Sequence, residues 1–116
     1  MSRLTAEREQ TRRPVRRARR YPFTAHIELI DLESETHLEE VTRDLSLFGC
    51  GVATTNALPV GTRLRLRMTH RGSHFAATGR VVYVRPFREI GIVFTRIEDT
   101  DQAILEKWIS ELRDHK

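Results

Sequence analysis

The chain is short of several things, and each shortage narrows what it can be. Among 116 residues there is one cysteine, Cys50, so no intrachain disulfide can form and a reducing, cytoplasmic setting is expected. No apolar run approaches the ~18 residues of a membrane span, and no signal-peptide core follows Met1. Glycine-rich phosphate loops are missing, since the six glycines are scattered and match neither a P-loop nor a dinucleotide fingerprint. The βαβ alternation of a parallel nucleotide-binding sheet is absent too. Lysine is nearly missing: of 20 cationic residues 18 are arginine, and only Lys107 and Lys116 are lysine. Solubility asks only for charge. A bias this strong toward a planar fork that binds bidentately and stacks points to anion recognition.

The charge that is present is unevenly placed. Residues 1–20 hold eight arginines against Glu7 and Glu9, whereas residues 21–116 carry a small excess of acid. The net charge of +4 therefore describes a basic arm on a mildly acidic body. The arm has little to bury beyond Leu4 and Val15 and carries Pro14, so residues 1–15 are expected to be flexible. Residues 16–116 are expected to form one domain.

The body has the periodicity of short strands. Phe23, Ala25, Ile27 and Leu29 alternate with Thr24, His26 and Glu28. A second strand is expected over Leu38–Leu45, with Val41 inward and Glu39, Glu40 and Arg43 outward. The segment Asp44-Leu45-Ser46-Leu47-Phe48-Gly49 interrupts, and Cys50–Thr54 resumes. Leu64, Leu66 and Met68 alternate with Arg63, Arg65 and Arg67, the clearest one-face-in strand of the chain. A long strand through Phe75–Val84, kinked at Gly79, and a last one over Glu89–Thr95 complete the set. About six strands spaced every 8–12 residues predict an all-β fold, a small antiparallel barrel or sandwich. At the C-terminus the period changes. Ile104, Leu105, Trp108, Ile109 and Leu112 share one helical face, which predicts a helix over about 100–113 that seals one barrel opening. Asp99 and Gln102 have the spacing of a capping box.

Candidate chemistry is sparse. Ser46 lacks the nucleophile-elbow context, and no base can be assigned to it. His70 and His74 are separated by Gly72 and Ser73, the composition of a turn and not of a zinc-binding helix. Cys50 beside Gly51 fits a small buried side chain. No enzyme is expected, and no metal or cofactor. What remains is the arginine arm entering the first strand and the Asp44/Ser46/Gly49 loop. Arginine can grip a phosphate or a guanine O6/N7 edge. A carboxylate can accept from guanine N1–H and N2–H₂, a hydroxyl adapts as donor or acceptor, and glycine permits close approach. The same loop composition also serves as an ordinary Asx or Ser turn between strands.

Together these elements resemble the PilZ domain family. Its first motif, R-x-x-x-R, is matched by Arg16-Arg17-Ala18-Arg19-Arg20, and its second, D/N-x-S-x-x-G, by Asp44 through Gly49. Gly79-Arg80-Val81-Val82 and Ile90-Gly91-Ile92-Val93-Phe94 resemble the closing strands. Arg12/Arg16 and Arg13/Arg17 have the same spacing as Arg16/Arg20, and the last pair is favoured because it abuts the strand. The resemblance implies a six-stranded antiparallel β-barrel with a C-terminal α-helix, and a receptor for the bacterial messenger cyclic di-GMP, bound in some members as an intercalated dimer. It assigns Arg16, Arg17 and Arg20 to phosphates and guanine edges, Asp44 and Ser46 to a guanine edge, and Gly49 to the shape of the loop. Within 116 residues no output domain is expected, so signalling is expected to pass to a downstream protein. Two other readings are a basic-armed barrel for single-stranded nucleic acid and a PilZ-like interaction module without ligand. A body with excess acid and no repeated aromatic platform disfavours nucleic acid. Both motifs being intact disfavours ligand loss.

Overall fold

The structure is a computed structural model that describes residues 18–115. The arm expected over residues 1–15 lies outside the described residues, as do Arg16 and Arg17. The elements in chain order are β1 (Tyr21–Pro22), β2 (His26–Asp31), β3 (His37–Leu45), β4 (Gly49–Ala53), β5 (Arg63–His70), β6 (Ser73–Arg85), β7 (Glu89–Arg96) and α1 (Asp99–Asp114). Strands run β1-β3-β2-β5-β6-β7-β4, and an additional β3–β4 pairing closes the sheet. The result is a closed six-stranded antiparallel barrel with β1 as an extra short strand on β3 and one C-terminal helix. Closure removes free edges, which suits a small sheet with one buried face. No helix among the described residues is long and apolar enough to cross a membrane.

Alternation fixes most of the registers. Along β5 the arginines point out while Leu64, Leu66 and Met68 are buried, and they meet Ile27 and Leu29 of β2 and Phe75 of β6 inside the barrel. The β5–β6 hairpin turns through Arg71 and Gly72, both at positive φ (50° and 81°), as a two-residue turn matching strand twist requires. Gly79 does mark an irregularity: the β6–β7 register shifts between Thr78 and Gly79. A Cβ there would come within 2.8 Å of the Val93 carbonyl, so close approach of the β7 backbone requires glycine at this point.

Three expectations are corrected. First, the alternating segment from Tyr21 is not one strand; it breaks at 23–25 between β1 and β2. Second, β3 buries Thr42 and leaves Val41 44% exposed. The β3–β4 register shifts between Thr42 and Asp44, so the inward phase is not the one the apolar residue suggests. Thr42 Oγ1 accepts from Ala25 N–H (2.9 Å) and donates to the Phe23 carbonyl (2.6 Å), filling the gap between β1 and β2. Third, the helix N-cap is Glu98 without a side-chain cap bond. Asp99 is not a cap, and Gln102 donates forward to Glu106 instead of backward. The carboxylate of Asp101 accepts from Ala76 N–H of β6 at 2.9 Å, tying the first helical turn to the barrel.

The helix meets its expectation as a lid. Leu105, Trp108 and Ile109 are buried, and the Trp108 ring lies 5.5 Å from Phe23 and 6.2 Å from Phe75. His70 is half-buried in this cluster, 4.6 Å from Phe23 and 5.5 Å from Trp108. Burial, and then Arg71, push its pKa down, with Glu111 opposing. Two aromatics lie outside the core: Phe48 at the motif loop, and Phe87, 80% exposed at the β6–β7 tip.

Candidate functional site

The β1–β3 pairing places Tyr21 opposite Leu45 and Pro22 opposite Asp44. Antiparallel register therefore delivers Arg20, the residue before β1, to the end of β3 where the loop begins. Its guanidinium donates to Asp44 Oδ1 at 2.8 Å across 24 residues of sequence. The same oxygen accepts Gly51 N–H at 2.8 Å. A Cβ at position 51 would stand 3.0 Å from both carboxylate oxygens, so glycine is what lets the carboxylate lie down on β4. Asp44 is thus oriented from two sides while its side chain stays 29% exposed. A carboxylate accepts at both oxygens and an arginine has five N–H donors, so each partner retains capacity toward a ligand.

The loop after β3 is held by Ser46. Its amide donates to the Gly49 carbonyl (2.9 Å), and its Oγ accepts from Phe48 N–H (3.1 Å) and Gly49 N–H (3.2 Å). This is the Ser-type turn that the loop composition allows. The Phe48 carbonyl in turn accepts Phe94 N–H at 2.8 Å, fastening the loop to β7. Gly49 sits where an added Cβ would collide with the Ile92 carbonyl. Its role is close approach to β7; it needs no special φ.

Beside these residues lies a cleft of about 550 Å³ lined by Ala18, Arg20, Ser46, Phe48, Arg80 and Val82, together with Gly49, Ile92 and Val93. That volume falls within the range typical of small-molecule sites, roughly 300–1,000 Å³. The candidate residues Arg20, Ser46 and Gly49 line the cleft itself, and Asp44 is bonded to Arg20 at its edge. Arg80 and Val82 join the cleft although neither belongs to the two motifs. The signal was present in the alternation of Gly79-Arg80-Val81-Val82, which turns 80 and 82 outward.

Behind the site a second charged cluster braces the hairpin. Glu89, nearly buried, forms ion pairs with Arg43 (2.8 Å) and Arg85 (3.3 Å) and accepts from the Tyr83 hydroxyl (3.2 Å). Burial and the neighbouring Glu89 push the Tyr83 hydroxyl pKa up. The Tyr83 ring covers Gly91, where any side chain would strike it. Cys50 is fully buried, and burial, reinforced by Asp44, pushes its thiol up to about 12. It is no nucleophile at neutral pH. Among the described residues no group of three His, Cys, Asp or Glu side chains could hold a metal ion.

The family model described as "PilZ domain" matches residues 12–111. A comparison with curated protein sequences returned no match. Among solved structures, the chain resembles the PilZ domain of CeSA from a cellulose-synthesizing bacterium, with 20% identity and a TM-score of 0.67 over 83% of this chain and 99% of that one. It also resembles the PilZ domain of YcgR from Escherichia coli with c-di-GMP, at 18% identity and a TM-score of 0.68, covering 88% and 92%. The inhibitor of motility MotI/DgrA of Bacillus subtilis aligns at 16% identity and a TM-score of 0.68; the match covers 90% of this chain but only 54% of that one.

Proposed function

The chain belongs to the PilZ domain family, and on that premise we propose that it is a non-catalytic receptor for cyclic di-GMP. One observation carries the reading. The last arginine of the R-x-x-x-R motif and the aspartate of the D-x-S-x-x-G motif, 24 residues apart, are joined at 2.8 Å on the rim of the largest cleft described. The domain of the receptor is residues 16–116, and residues 1–15 are the arm that leads into it.

The chemistry of the ligand fits the residues. Cyclic di-GMP offers phosphates, which take arginine forks, and guanines, whose N1–H and N2–H₂ need a carboxylate acceptor. Arg20 and Asp44 supply one of each, already oriented. Arg16 and Arg17, on the segment leading to Arg20, bring further forks as the arm closes over the ligand. Arg80 adds a further cation to the lining of the cleft. Ser46 and Gly49 shape the wall. The guanine contact assigned to Ser46 requires its hydroxyl to exchange one loop bond for a ligand bond. Closure of the arm converts ligand binding into a change of surface charge, which a downstream protein reads.

Calorimetric titration of the full chain and of single variants tests the assignment. Arg20→Ala and Asp44→Ala each remove a charged hydrogen-bonding partner worth about 1.5–3 kcal/mol, so each weakens binding by roughly tenfold or more. Variants that bind as the parent does would show that the site lies elsewhere.

A further inference from the structure

The outward face of β5 is a row of three arginines, Arg63, Arg65 and Arg67, all exposed. A fourth, Arg80, stands directly opposite Arg63 on β6 and is also exposed. None of the four forms an ion pair among the described residues, whereas Arg20, Arg43, Arg85, Arg96 and Arg113 do. Like charges directly opposed across a ladder destabilise a sheet. The fold gains nothing from this arrangement, since the buried partners on β5 are Leu64, Leu66 and Met68.

We infer that the β5 face is a docking surface for an extended acidic segment of a partner protein. Alternate side chains on a strand repeat at about 7 Å, and alternate carboxylates on an extended peptide repeat at the same spacing, so the row and such a segment share a register. Each guanidinium can take a carboxylate bidentately. The strands flanking the row favour a peptide over a nucleic acid. Arg65 lies between Ile30 and Thr78, and Arg67 between Glu28 and Ala76. None of the residues paired with Arg63, Arg65 or Arg67 across β2 and β6 is aromatic, so these three positions offer no ring for a base to stack on, as binding of single strands normally requires. Arg80 belongs both to this row and to the cleft wall, so an anion in the cleft and a segment on β5 compete for it.

The test uses the full chain and a labelled octapeptide of alternating glutamate and threonine, followed by fluorescence anisotropy. The parent chain binds the peptide. The triple variant R63Q/R65Q/R67Q weakens binding by at least about tenfold, while R71Q/R88Q/R113Q, which removes equal charge elsewhere, does not. All six positions are exposed, so both variants fold, and circular dichroism confirms it. Equal binding by the parent and the β5 variant would overturn the proposal, since the arginine arm would then account for the affinity. Tighter, β5-dependent binding of a thymidine dodecamer would overturn it in favour of nucleic acid. The proposal is independent of the ligand reading: a chain indifferent to cyclic di-GMP that still binds the peptide through β5 leaves it standing.

Discussion

Replacing Thr42 with valine keeps the volume of the side chain and removes only its hydrogen bonding. Thr42 is 2% exposed, and its hydroxyl serves two backbone groups, Ala25 N–H and the Phe23 carbonyl, in the break between β1 and β2. In the valine variant both are left without that partner beneath a barrel wall. Each unsatisfied buried group costs about 1–3 kcal/mol, so the variant loses on the order of 2–4 kcal/mol. For a domain of this size a loss of 1 kcal/mol lowers Tm by roughly 4–8 °C, which puts the expected fall near 10 °C or beyond. Thr42→Ser is the control: it keeps the hydroxyl and loses one methyl, about 1 kcal/mol. The order parent, serine, valine in thermal or urea unfolding is the expected result. The consequence reaches the site, because the segment held by Thr42 carries β1 and, through it, the position of Arg20 beside Asp44. A valine variant as stable as the parent, or more stable than the serine variant, would refute the reasoning.

The other predictions concern the loop, the buried thiol and the lid. Gly49→Ala drives a methyl into the Ile92 carbonyl; since the obstacle is backbone, the variant loses about 1–3 kcal/mol in chemical denaturation and loosens the Ser46 turn. The Cys50 thiol, pushed up to about 12, stays silent to thiol reagents at pH 8 until the barrel unfolds. Because its folded pKa lies above its unfolded one, it contributes stability that is complete below pH 9 and lost progressively above it, a slope that Cys50→Ala removes. His70 has the opposite sign: its folded pKa is below the ordinary 6.5, so the unfolded chain binds the proton more readily and stability falls as pH drops below that value. Urea midpoints at pH 5 and pH 7 show a smaller difference in His70→Phe than in the parent.

Much of this architecture is legible in the residues, and the misses share a cause. β5 is readable because every second residue is arginine, and α1 because its apolar stripe has one period and ends in a cluster with Phe23 and Phe75. β3 misleads because a bulge changes the phase between Thr42 and Asp44, and no local pattern distinguishes a threonine that satisfies two backbone groups from one facing water. The helix start misleads because the carboxylate with a backbone partner, Asp101, answers to a strand 25 residues away. At the site, the loop residues announce themselves through their spacing. The pairing of Arg20 with Asp44 depends on β1 returning to pair with β3, and the contribution of Arg80 to the same cleft depends on closure of the barrel, which brings β3, β4, β7 and β6 side by side. Those contacts are long-range, and periodicity is silent about them.

The central claim is that the Arg20–Asp44 rim and its cleft bind a guanine dinucleotide. Isothermal titration of the full chain with cyclic di-GMP measures this most directly. Saturable binding at micromolar concentration or below, weakened at least about tenfold in Asp44→Ala, is the predicted result. A flat titration of the folded parent chain would contradict it.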